Sequence, residues 1–211
     1  IFMDCLKTLL VLILFSCTLR AQEVGFSAIR MWSDDFQLNN PSGFGIHLSI
    51  PVKNIAIQAE YNYGNCERNY SGYINPGFFV LPQDRPVFES IIGKSKIRSY
   101  DISLYITDIT RLTNPLQLNA GAGIGINNLE GYRKGLISGE EVTFQKTGRI
   151  GILLSASVSY KRLFNLPVKL ELQFRQKIIP GDGSIITDSE NVFSDAISLK
   201  QLSFSISYLF R

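Results

Sequence analysis

From about residue 24 to residue 210, bulky apolar side chains take every second position in eight successive segments. The positions between them hold glycine, serine, amide and charge. A period of two belongs to strands, because successive side chains on a pleated backbone point to opposite faces. The last segment, 202–210, shows the problem this creates. Leu202, Phe204, Ile206, Tyr208 and Phe210 share one face, while Ser203, Ser205 and Ser207 share the other. A water-soluble sheet would turn the large residues inward. Here the small, polar face repeats in strand after strand and carries ionic groups, so the opposite arrangement is expected: bulky residues outward against lipid, polar residues around a narrow lumen.

The segments read as strands at about 24–31, 43–50, 55–63, 98–106, 116–126, 149–160, 168–177 and 202–210. Their lengths match the ~9–11 residues a tilted strand needs to cross a bilayer. The connections give a second signal. Those at 51–54, 107–115 and 161–167 are short, and those at 32–42, 64–97, 127–148 and 178–199 are long, in strict alternation. An up-and-down barrel with tight turns at one rim and long loops at the other has this rhythm. The expected fold is all-β: an eight-stranded antiparallel up-and-down transmembrane β-barrel. Closure leaves no unpaired strand edge, which hydrocarbon would not tolerate.

The start of the chain reads as an export signal. Met3 and Lys7 precede the apolar run LLVLILFS at 9–16, which is too short to span a bilayer as a helix. Cleavage after Ala21 is expected, giving a signal peptide at 1–21 and a barrel domain at 22–211. A competing reading takes Leu14-Phe15-Ser16-Cys17 as a lipobox with Cys17 lipidated. Cleavage after Ala21 leaves Cys66 as the single cysteine, so no intrachain disulfide is expected. The chain stops at the eighth strand, which predicts no appended peptidoglycan-binding domain. A net charge of +3, with no Lys/Arg-rich run, points away from nucleic acid.

This pattern resembles the small eight-stranded outer-membrane β-barrels, the group that includes the OmpA membrane domain, OmpX and OmpW, often labelled porin family. The resemblance implies a bacterial outer-membrane location, contact with outer-membrane lipid and lipopolysaccharide, and insertion by the barrel-assembly machinery. The assembly signal would be Phe204, Ile206, Tyr208 and Phe210, followed here by Arg211. No family-specific catalytic motif is matched, and no cofactor is expected. The expected role is non-enzymatic: envelope integrity, surface interaction or limited passage of small solutes, with a transport- or secretion-associated porin as the alternative.

Three groups of residues are candidate sites. His47, Glu60, Asp101, Lys169, Glu171 and Arg175 fall on inward parities and are expected to form a polar lumen network, either an ion-paired plug or the lining of a selective pore. His47, Ser49 and Glu60 contain the residue types of a Ser–His–acid hydrolase, which leaves a lipid A-modifying enzyme as a further reading. The long segment 64–97 is rich in Tyr, Asn, Gly and Pro and carries Phe78-Phe79-Val80-Leu81, which suits an extracellular ligand, a fold over the barrel mouth or a rest on the outer leaflet. Trp32, Tyr61, Tyr63 and Tyr100 at one end, and Tyr160, Phe164, Tyr208 and Phe210 at the other, read as two interfacial girdles. One histidine and one retained cysteine supply no zinc site. GAGIGIN at 121–127 lies within an alternating strand and is not a phosphate loop. A soluble barrel around a lipophilic ligand is a last alternative, and it requires the apolar faces to point inward.

Overall fold

The computed structural model describes residues 23–33, 40–73, 88–107, 109, 115–139, 141–180 and 196–210. The export segment with Cys17, the apolar run 78–81 and Arg211 lie outside these residues. The strands are β1 (Glu23–Ser33), β2 (Ser42–Val52), β3 (Ile55–Tyr73), β4 (Phe88–Ile106), β5 (Leu116–Gly135), β6 (Glu141–Lys161), β7 (Val168–Ile179) and β8 (Ile197–Leu209). Each pairs antiparallel with its sequence neighbours, and β8 closes on β1, so the sheet is a complete barrel in up-and-down order.

The strands tilt as closure requires. Following the register from Glu23 through Ser49, Gln58, Ser103, Gly123, Leu153, Lys177 and Leu199 returns to β1 at Ser33, ten residues beyond the start. This stagger decides which inward side chains meet across the lumen, and the candidate site depends on it.

The two faces are distributed as the alternation requires. Ile102, Ile124 and Ile152, aligned across β4, β5 and β6, are 61%, 59% and 59% exposed, whereas Asp101 between the outward residues of β4 is 2% exposed. This is the reverse of a water-soluble core, and the reading of a soluble barrel with inward apolar faces is overturned by it. Apolar outward side chains at these heights have one favourable environment, the hydrocarbon of a bilayer. Aromatic residues mark both borders of the band. Tyr61 stacks obliquely on Tyr100 at 5.1 Å and Phe44 on Tyr63 at 5.4 Å near the long-connection rim. Tyr208 meets Phe210 edge-on at 4.9 Å near the short-turn rim.

One difference from the sequence reading is large. β3 through β6 run well beyond the expected boundaries, to 19, 19, 20 and 21 residues. Most of what reads as loop at 64–97 and 127–148 is paired strand: Asn65↔Lys96 through Tyr73↔Phe88, and Leu129↔Lys146 through Lys134↔Glu141. The reason is solvent. Past the girdle both faces of the wall leave hydrocarbon, so the apolar alternation stops while backbone pairing continues. The β5–β6 turn at the far end is anchored by Glu89, whose carboxylate accepts bonds from Ile137 N (2.6 Å), Ser138 N (3.0 Å) and Ser138 Oγ (2.5 Å). The Ser138 hydroxyl and amide bonds hold Glu89 below its ordinary value of 4.5. The anchor is therefore complete above that pH and is lost as pH falls through the lowered value.

Candidate functional site: a layered barrel interior

The inward side chains form three layers. Nearest the short-turn rim, Lys169 Nζ lies 2.5 Å from Glu23 Oε1 and 2.8 Å from Glu171 Oε2. His47 Nε2 lies 3.0 Å from Ser207 Oγ and 3.5 Å from Glu23 Oε1. His47 on β2 reaches Ser207 on β8 across β1 because the residue between them in register is Gly25. A Cβ there would stand 2.4 Å from both His47 Cε1 and Ser207 Oγ. A cavity of about 270 Å³ opens below this layer to the rim, lined in part by Glu23, Asn119, Tyr105, Ser159, Lys169 and Glu171.

The middle layer is ionic. Glu60 and Asp101 face each other directly across β3 and β4, an arrangement that repels unless a cation intervenes. Arg175 supplies it from the far wall, with Nη2 2.5 Å from Glu60 Oε2 and Nη1 3.2 Å from Asp101 Oδ2. Lys177, two residues along β7, lies 2.7 Å from Asp101 Oδ1 and donates to Asn127 Oδ1 at 3.0 Å. Neutral groups add to the shell. Gln173 donates to the Tyr105 hydroxyl at 2.7 Å and accepts from Arg175 at 3.0 Å. Asn62 donates to Asp101 at 3.2 Å and Gln58 to Glu60 at 3.1 Å. Two carboxylates meet two cations, so the layer is formally neutral, with charge-assisted hydrogen bonds throughout.

Space for this layer comes from the inner face of β5, where Gly121, Gly123 and Gly125 alternate. A Cβ on Gly125 would stand 1.9 Å from Asp101 Oδ1, and one on Gly121 2.6 Å from Tyr105 Cδ1. Gly125→Ala therefore displaces the carboxylate that Arg175 and Lys177 share. The expected loss is about 1–3 kcal/mol of stability, typical of overpacking, read as a lower urea midpoint by Trp32 fluorescence in detergent.

Above the ions lies an apolar layer made by Ile29, Met31, Ile97, Leu129, Ile179, Ile197 and Leu199, each at most 4% exposed. Where it meets the ionic layer, a void between Met31, Ile97, Arg175, Lys177 and Leu199 measures about 10 Å³. That is at the lower limit for a single water.

Of the six residues expected in the lumen network, the structure places Glu60, Asp101 and Arg175 in one cluster and His47, Lys169 and Glu171 in another. Sequence reasoning missed Glu23, Lys177 and the apolar layer. Glu23 and Lys177 stand on inward parity at strand ends, and carrying the alternation one step further finds both. The hydrolase constellation does not form as expected. His47 bonds Ser207 rather than Ser49, and Glu60 is engaged by Arg175 and Gln58. The His47–Ser207–Glu23 trio converges on one nitrogen, Nε2, whereas a proton relay needs the acid on the other ring nitrogen. Among the described residues no group of three or more His, Cys, Asp or Glu is arranged to hold a metal ion.

A closed eight-stranded antiparallel barrel with a lipid-compatible exterior and an ion-paired interior has the architecture of a transmembrane β-barrel. Among solved structures the chain is similar to Neisserial surface protein A, at 14% identity and a TM-score of 0.55, over 89% of this chain and 96% of that one. It is also similar to Ail, the attachment invasion locus protein of Yersinia pestis (12% identity, TM-score 0.49, 89% and 95% covered), and to a major outer membrane protein from Thermus thermophilus (11%, 0.47, 89% and 99%). At 14% identity the likeness to Neisserial surface protein A is one of fold alone. No family model and no curated protein matches the sequence.

Proposed function

We propose that this chain is a non-enzymatic integral protein of the bacterial outer membrane, in which the barrel is a sealed anchor and the protruding β3–β6 wall is the working surface. The observation that carries the reading is the packing of the interior: an ionic layer with an apolar layer above it, and a void of about 10 Å³ where the two meet. A hydrated ion or small solute needs a continuous polar path, and the apolar layer interrupts it. The tight turns then lie on the periplasmic side and the long wall outside, as in barrels assembled from the periplasm. The outward apolar row of β8 (Phe204, Ile206 and Tyr208, with Phe210 just beyond) serves as the assembly signal, and 1–21 as the cleaved export peptide. The stretch read as a ligand-binding loop at 64–97 acts mainly as the paired rim of the wall, offering side chains from a rigid sheet to an extracellular partner.

Planar-bilayer recording tests the sealed anchor. The expected result is no steady single-channel conductance for the wild type. Stable, ion-selective channels altered by Arg175→Gln would establish a pore in its place.

A further inference from the structure

The outer face of the wall changes chemistry over two residues. On β4, Tyr100 belongs to the aromatic border, while Arg98 and Lys96 follow it on the same outward face. At ~3.4 Å per residue and a tilt near 40°, Arg98 stands only about 5 Å above the ring of Tyr100, at the level where lipid phosphates lie. Glu130 on β5 is shared by both cations: Arg98 hydrogen-bonds it, and Lys96 Nζ lies 3.9 Å away. Two cations on one carboxylate leave positive charge, and Arg30 adds to it in the same register row, through Ser42 and Asn65. The cations remain reachable, with side chains 32% exposed for Lys96 and 37% for Arg98. The neighbouring outward groups Asn65, Asn128 and Tyr63 offer amides and a phenol.

Directly below, on the lipid face, is a groove of about 340 Å³ lined by Ala59, Tyr61, Tyr100, Ile102, Ile124 and Ile126. It exists because Ala59 is small where its register neighbours Leu48 and Ile102 are large. Its lining is almost wholly apolar, and the paired rings of Tyr61 and Tyr100 form its upper end.

From this stacking we infer that the β3–β5 outer face is a binding site for one phosphorylated saccharide lipid of the surrounding outer leaflet. A phosphate on its sugar headgroup is held by Arg98 and Lys96, the sugar hydroxyls by the adjacent amides and Tyr63, and one acyl chain lies in the groove below. Charge complementarity selects the occupant. An uncharged lipid would fill the groove but leave the cations unanswered, and a free anion would answer the cations but leave the groove empty. The inference rests on the membrane reading above and adds a defined lipid site to it.

Native mass spectrometry of the purified full chain in neutral detergent tests it, with an equimolar mixture of bis-phosphorylated lipid A, its dephosphorylated form and phosphatidylglycerol. The expected result is an adduct of bis-phosphorylated lipid A at least about fivefold more abundant than either competitor, the factor that roughly 1 kcal/mol of charge-assisted contact gives. Lys96→Gln with Arg98→Gln should remove that preference. Ala59→Phe, which fills the groove, should lower all lipid adducts, and both variants should keep the heat-modifiable gel mobility of a folded barrel. Equal binding of the three lipids, or variants that bind like the wild type, would overturn the site. A chain that stays in solution without detergent would instead overturn the membrane reading on which the site rests.

Discussion

Arg175→Met is expected to lower the unfolding free energy of the barrel by about 3–5 kcal/mol, the usual cost of stranding a buried charge. Arg175 is 1% exposed and stands between two carboxylates that face each other across β3 and β4. Lys177 remains beside Asp101 in the variant, so the stranded group is Glu60, whose other side-chain hydrogen bond comes from the Gln58 amide. This asymmetry makes the prediction specific. Glu60→Gln added to Arg175→Met should recover most of the loss, whereas Asp101→Asn added to it should not, because it also strands Lys177. The measurement is a urea titration in detergent for the wild type, the single variant and both double variants. If Arg175→Met unfolds with the wild-type midpoint, the ionic layer contributes nothing and the sealed-lumen account loses its centre.

Ile102→Arg is expected to cost about 2–4 kcal/mol when the barrel folds into lipid, because Ile102 lies on the outward face at mid-height of the apolar band. Ile92→Arg, on the same face of the same strand but ten residues further toward the long-connection rim, should stay within about 1 kcal/mol of the wild type. The pair isolates depth from everything else the two positions share. Watery surroundings would make the two substitutions equivalent, since both introduce a charge on an outward face. Folding titrations into vesicles of defined thickness read the difference directly.

The barrel was legible in the sequence where lipid enforces the pattern. Outward Ile102, Leu104 and Ile106 against inward Asp101, Ser103 and Tyr105 fix the face of β4 without further information, because a slip of one residue would put a carboxylate into hydrocarbon. From Asn65 to Tyr73 neither face meets hydrocarbon, and Cys66, Arg68 and Tyr70 no longer contrast with Asn65, Glu67 and Asn69. The strand continued unseen for that reason. Inward parity was enough to find Glu60, Asp101 and Arg175, but not their pairing, which depends on the ten-residue stagger of the closed sheet. The same holds for His47. Its same-face neighbour Ser49 is about 7 Å along the strand, and the partner it actually bonds, Ser207, becomes reachable only through the missing side chain of Gly25. The apolar layer also leaves a signal in the sequence: Ile29, Met31, Ile97, Leu129 and Leu199 interrupt otherwise polar parities.

Methyl NMR of the isoleucine-labelled chain in lipid nanodiscs tests the orientation of the faces most directly, with a spin label carried deep on an acyl chain. The account predicts strong broadening of the outward methyls of Ile102, Ile124 and Ile152, and sharp signals from Ile97 and Ile179 inside the lumen. Broadening of the second set with the first unaffected would place the apolar band in the molecule's interior and contradict the account.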